Sequence, residues 1–144
     1  MGTIGAPLTA ELAAPASSTQ EAPVSSEQAA WNIEAAHAAE AYVQLLDQGQ
    51  YAASWTNGAK LFQKTIPQQE WVQALQAARG RLGAVKSRSL KDQKPAFDPK
   101  GLPKGAYMVV EYNTSFAHAA NSGELLTLMR ESDGKWKVLT YQVN

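Results

Sequence analysis

YMVVEYNTSF (Tyr107–Phe116), GELLTLMR (Gly123–Arg130) and KWKVLTYQV (Lys135–Val143) close the chain and read as three consecutive β-strands. The last two are joined by Ser132-Asp133-Gly134. Asp-Gly between apolar runs is a strong hairpin signal, because glycine takes the positive φ that a tight turn demands. An antiparallel sheet therefore ends the chain. In its first strand Met108, Val110, Tyr112, Thr114 and Phe116 point one way, and Tyr107, Val109, Glu111, Asn113 and Ser115 the other. The first set is the better core face. With Lys135 and Lys137 toward solvent, Trp136 and Val138 face the core as well.

Upstream, Val85 to about Gln93 forms a further strand, polar on both faces, which suits a sheet edge where charged side chains discourage pairing between molecules. Pro95, Pro99 and Pro103, with Gly101 and Gly105, then make a long turn. Three helical segments come before the sheet. The first starts at Ser25, where Ser25-Ser26-Glu27-Gln28 offers a Ser cap with Gln three residues on. Trp31, Ala35, Ala38, Ala39, Tyr42, Leu45 and Leu46 recur along it at helical spacing, and Gly49 closes it. A shorter helix, Tyr51 to about Gly58, places Tyr51, Ala52 and Trp55 on one side. The third begins near Pro67, whose missing amide suits a first turn, and carries Trp71, Leu75, Ala78 and Leu82 as its apolar stripe. Helices first and sheet second imply an α+β fold, with the helices packed on one face of a four-stranded antiparallel sheet.

The 144 residues suit one domain, residues 25–144, after an Ala/Pro/Ser-rich linker over residues 1–24 that has no basic residue and no apolar block of signal-peptide length. Thirteen basic residues balance thirteen acidic ones, which removes the bulk electrostatic argument for nucleic acid. The distribution is uneven, with no Lys or Arg before Lys60 and eight basic residues between Arg79 and Lys104; a solvated strand and loop, or an acidic partner, accounts for it. Without cysteine there is no disulfide, thiol catalysis or thiolate-bound metal. No apolar run is long enough to span a bilayer.

Trp71-Val72 through Arg79-Gly80-Arg81-Leu82-Gly83, Ser87-Arg88, Tyr112-Asn113-Thr114-Ser115-Phe116, Glu124-Leu125-Leu126-Thr127-Leu128 and Asp133-Gly134-Lys135-Trp136-Lys137-Val138 with Tyr141 follow one another in an order that resembles the bacterial DUF4019 family, from about Trp31 to Val143. The resemblance implies a curved sheet of NTF2-like or cystatin-like type in an exported, periplasmic or secreted protein. It brings no assigned activity and no catalytic set.

Motifs for chemistry are sparse. Glu34 and His37 form one Glu-x-x-His pair on the first helix, but no second such pair exists to complete a carboxylate-bridged metal site, so a solvated helix face is the simpler reading. His118 has no acidic orienter at a recognisable spacing; neither a Gly-x-Ser-x-Gly elbow nor a phosphate loop occurs, and no cofactor is implied. Trp31, Tyr42, Trp55, Tyr112 and Phe116, together with Trp71 and Trp136, either fill the core or line a cone between helices and sheet; an aromatic stripe is more often core. Arg88 pairs with Glu111 or Glu124 across the sheet, or anchors an anion.

These readings combine into a non-enzymatic binding or interaction module of the bacterial envelope, taking a protein or a small apolar ligand. The alternative is hydrolase or isomerase chemistry in the cone, with Tyr42, Tyr112 or Glu111 as acid and base. Strict alternation from Trp136 sends Leu139, Tyr141 and Val143 outward beside Leu125, Thr127 and Met129. So large an outer patch calls either for a bulge near Val138 that returns some of these side chains to the core, or for a second copy of the chain against the outer sheet face; the homodimer is the expectation.

Overall fold

A computed structural model describes residues 25–144; the linker expected over residues 1–24 and the side-chain cap expected at Ser25 lie outside what it describes. The architecture is α+β. Helices α1 (Ser25–Asp47), α2 (Tyr51–Thr56), α3 (Lys60–Thr65) and α4 (Gln68–Leu82) precede strands β1 (Val85–Phe97), β2 (Ala106–Phe116), β3 (Ala119–Arg130) and β4 (Trp136–Val143). The strands form one antiparallel sheet in chain order.

The sheet packs under α1. Ala35, Ala39, Val43 and Leu46 of the helix meet Met108, Val110, Leu126 and Leu128 of β2 and β3 in one buried cluster. Alanine on the helix lets its backbone approach the sheet closely, and each fully buried Leu or Val side chain contributes about 1.5–3 kcal/mol of transfer free energy. The inward set expected on β2 is inward. Tyr107, on the opposite face, is buried as well, its hydroxyl donating to the Pro103 carbonyl at 2.7 Å as the β1–β2 loop folds back over it.

Helix α3 is an addition to the three expected. Six residues are too few for a period to register, yet Phe62 is buried edge-on against Trp71 at 4.8 Å, over Gly58, where a Cβ would stand 2.5 Å from the Phe62 ring. Just before the helix, the Ala59 amide donates to the Val138 carbonyl at 2.8 Å. On α2 the buried residue is Ser54, with Tyr51 and Trp55 half-buried. Ser54 Oγ accepts from Trp71 Nε1 at 2.9 Å, joining α2 to α4.

Strand β1 continues through Pro95 to Phe97, beyond its expected end. An edge strand has a side on which no ladder amide is needed, and this one can therefore hold a proline. Gly83 ends α4 at φ 82° and lies against His118, to whose ring carbon a Cβ would come within 2.7 Å. The β2–β3 turn docks there, with the His118 amide donating to the Leu82 carbonyl at 2.9 Å.

The β3–β4 register corrects the face assignment of the last strand. Leu128 pairs with Val138 but Thr127 pairs with Thr140, so Leu139 is the extra residue of a β-bulge. Beyond it the alternation is switched: Tyr141 lies opposite inward Leu126, and Val143 opposite inward Glu124. Leu139 and Tyr141 are buried in the core cluster, and Val143 packs against it. Of the outer patch Leu125, Thr127 and Met129 stay outward, half-buried beside Gln142, Thr140 and Lys137. The expected dimer loses Leu139, Tyr141 and Val143 from the patch that motivated it.

Candidate functional site

Six elements converge on one buried carboxylate. Glu124 of β3, inward by the alternation that buries Leu126 and Leu128, has no solvent-exposed side-chain surface. Its Oε1 accepts from Arg88 Nε of β1 at 2.7 Å and from Thr114 Oγ1 of β2 at 2.5 Å, and its Oε2 accepts from Tyr141 Oη of β4 at 2.5 Å. Arg88 also donates both terminal nitrogens to Asp47 at the end of α1, at 2.8 and 2.9 Å. From α4, Arg79 donates Nη2 to Asp47 Oδ1 and Nη1 to Tyr141 Oη at 3.4 Å, 3.9 Å from Glu124 Oε2. The guanidinium groups of Arg79 and Arg88 lie over the faces of Phe116 and Tyr112, at 5.0 and 5.7 Å.

Two cations face two anions, so the network is neutral within itself. Burial works to raise the Asp47 carboxyl, but hydrogen bonds and charge from Arg88 and Arg79 outweigh it and hold the group below the usual carboxylate range. The Tyr141 phenol is pushed well above its ordinary value by burial first, then by the charge and hydrogen bond of Glu124. A phenol so placed donates to Glu124 and is not available as a base. Every ion here has an ionic partner; the arrangement ties elements together and leaves no acid or base free.

Farther back along α1 the same helix meets β4 across a cleft of about 460 Å³. Ala38, Ala41, Tyr42 and Leu45 line one wall, Trp136 and Val138 the other, and Gln44, Gln48, Asn57 and Lys137 complete it. A second depression, past Glu34, Gly134 and Lys135, shares Ala38, Trp136 and Lys137 with it. Trp31 stands edge-on to Trp136 with ring centres 6.1 Å apart, beneath the Arg130 guanidinium at 4.9 Å.

The Tyr42 hydroxyl and Trp136 Nε1 are the buried side-chain polar atoms, among the described residues, that have no hydrogen-bond partner. Ser54 is the polar neighbour of Tyr42; its Oγ donates to the Tyr51 carbonyl at 2.6 Å and accepts from Trp71 Nε1 at 2.9 Å, and although one lone pair is left, no bond of hydrogen-bond geometry joins it to Tyr42 Oη. Burial raises the Tyr42 phenol well above its ordinary value, with the Ser54 hydroxyl opposing it. Each unsatisfied buried group costs about 1–3 kcal/mol.

Of the aromatic residues expected to line a cone, Tyr42 lines the cleft and Trp31 adjoins it through Trp136. Tyr112 and Phe116 lie under the arginines of the network, and Trp55 is held apart by donating Nε1 to the Ile66 carbonyl at 2.8 Å. Arg88 takes the cross-sheet pairing with Glu124 and not with Glu111. Glu111 lies on the outer face opposite Leu125, with Lys91 Nζ 3.7 Å away, so it does not meet Tyr42 and Tyr112 as an acid–base set. Glu34 and His37 are exposed on α1, and no group of three His, Asp or Glu among the described residues is arranged to hold a metal. Arg79 and Asp47 were not singled out from the sequence. The signal for Arg79 was its place four residues after Leu75, on the apolar stripe of α4.

A closed ionic lock beside an open cleft, on helices packed against an antiparallel sheet, defines a small α+β domain with no assembled catalytic set among the described residues. Residues 38–141 match the model of a protein family of unknown function, DUF4019, and the chain belongs to that family. No curated protein matches the sequence. A solved structure from Catenulispora acidiphila shares the fold at 15% identity and a TM-score of 0.55, over 82% of this chain and 93% of the other.

Proposed function

We propose that this protein is a non-enzymatic binding module of the bacterial envelope, with an NTF2-like or cystatin-like sheet, and that its ligand is a small amphipathic molecule seated between α1 and β4. One observation carries the reading: the two unpartnered buried polar groups, Tyr42 Oη and Trp136 Nε1, both belong to residues that line the cleft. Buried polar atoms are nearly always paired, and an exception calls for a cause. A ligand that supplies the missing partners is such a cause, and a cleft of this size falls in the usual range for small molecules, about 300–1,000 Å³. The envelope location is supported by the family resemblance; recovery of the protein in the cytoplasmic fraction of its native cell would refute it.

The binding reading is tested with 8-anilinonaphthalene-1-sulfonate, whose fluorescence rises in apolar clefts. The folded protein should enhance it saturably, and Ala41→Trp, at an exposed position on the cleft wall, should abolish the enhancement without lowering the melting temperature. No enhancement, or enhancement indifferent to Ala41→Trp, would remove the cleft as a ligand site.

A further inference from the structure

We infer that the cleft takes an amphipathic carboxylate, a straight acyl chain ending in an ionised carboxyl group; this rests on the cleft being a ligand site, and names what the site selects. The unpartnered groups set the first constraint. Indole Nε1–H only donates, and the Tyr42 hydroxyl has a proton to give. Two donors with no acceptor call for a ligand that accepts twice; a carboxylate offers two oxygens for this, and hydrogen bonds to an ionised acceptor are about twice as strong as neutral ones.

Charge sets the second. No carboxylate lines the main cleft, whereas Lys137 does. Lys135 lines the adjoining depression opposite a single acid, Glu34, and Arg130 stands over Trp31 beside Trp136. The charged lining residues of the two depressions are two cations, Lys135 and Lys137, against one anion, Glu34, with Arg130 nearby and Asp133 and Glu131 in the same turn. The main cleft itself carries a cation and no acid, which favours a negative head group over an ammonium.

The shape of the apolar wall sets the third. Ala38, Ala41 and Leu45 follow one another at i, i+3 and i+7 on α1, a strip about 10 Å long at 1.5 Å rise per residue. Its two alanines leave room beside the helix for a polymethylene chain to lie along it. Both unpartnered atoms are closed to solvent, so the head group must part the Tyr42 and Trp136 side chains to reach them. Pairing them removes the penalty the protein otherwise bears.

The test is calorimetric titration of the full chain with decanoate, decan-1-ol and decylamine, each below its aggregation threshold. Decanoate should bind at least about tenfold more tightly than decanol, and decylamine more weakly than either. Trp136→Phe keeps an aromatic ring against Trp31 and removes the N–H; Tyr42→Phe removes only the hydroxyl. Each should weaken decanoate about tenfold, which corresponds to about 1.4 kcal/mol, and leave decanol within twofold. Lys137→Gln, half-exposed and safe for folding, should weaken decanoate several-fold and leave decanol unmoved. Decanol or decylamine binding as tightly as decanoate, or decanoate indifferent to all three substitutions, would overturn the carboxylate assignment. If none of the three decyl compounds binds while the anilinonaphthalene probe still does, the assignment also falls and the cleft remains a site; failure of that probe too removes the site itself.

Discussion

Asp47 and Tyr42 stand five residues apart on one helix, and their polar atoms are treated in opposite ways. Around Asp47, six elements bring two carboxylates, two guanidinium groups, a phenol and a hydroxyl into a network in which each finds a partner. Around Tyr42, a phenol and an indole N–H are equally enclosed and find none. A protein that satisfies so demanding a cluster is not short of ways to satisfy a tyrosine. On the proposed binding function, the contrast separates polar burial that serves the fold from polar burial kept for a ligand.

The largest effect should come from breaking the satisfied end. Glu124→Gln keeps the shape but leaves Arg79 and Arg88 to share Asp47 alone; removing one member of a buried ion cluster costs about 3–5 kcal/mol. Denaturant unfolding should show that loss, with a smaller one of about 1.5–3 kcal/mol for Tyr141→Phe, whose hydroxyl donates to the charged carboxylate. A Glu124→Gln protein as stable as its parent would mean that the cluster is not a lock, and the contrast with the cleft would collapse.

Much of this was legible in the alternation of β2 and β3 and in the apolar face of α1, because period-2 and period-3.6 patterns survive wherever one face is buried. The same alternation that sets Leu126 and Leu128 inward also sets Glu124 inward, and so contains the Arg88–Glu124 pair. The bulge that the structure shows was legible only as the less favoured of two accounts of the outer patch, and its place at Leu139 was not. A bulge at a residue flanked by Val138 and Thr140 carries no Gly or Pro to announce it, and one inserted residue reverses every side chain after it. The network as a whole also lay beyond pattern reading, since Asp47 and Tyr141 are brought together only by the tertiary fold. Several residues that carry the family resemblance, Arg79, Arg88, Thr114, Glu124 and Tyr141, are members of this lock. The resemblance therefore reports on architecture more than on ligand.

A middle-sized effect should appear with pH, and its sign differs at the two limbs. Asp47 is depressed in the folded state, so its contribution is complete above its unfolded value of about 3.9 and is lost as pH falls through the folded value. The melting temperature should drop below about pH 4, and Asp47→Asn should flatten that limb. Tyr141 and Tyr42 are raised, so their contributions are complete below about pH 10 and are lost as pH rises toward the folded values. Tyr141→Phe should flatten part of the alkaline limb. An acid limb unchanged in Asp47→Asn would show that the arginines do not hold this carboxylate in solution.

The smallest effect is the most telling, because its sign is reversed. Removing a hydrogen-bonding group from a satisfied network destabilises, whereas removing an unpartnered one from a buried wall removes a desolvation cost and forfeits nothing. Tyr42→Phe should therefore leave the unfolding free energy unchanged or raise it by up to about 1 kcal/mol, although Tyr42 is as buried as Tyr141. Trp136→Phe should fall between, since the lost N–H penalty is offset by the smaller ring's poorer packing against Trp31. Gains in stability at the price of function are common at binding sites, and the two tyrosines make an internal control: same side chain, same substitution, opposite sign. If Tyr42→Phe instead costs 1.5 kcal/mol or more in denaturant unfolding, its hydroxyl has a partner in solution, and the argument that this cleft awaits a ligand loses its foundation.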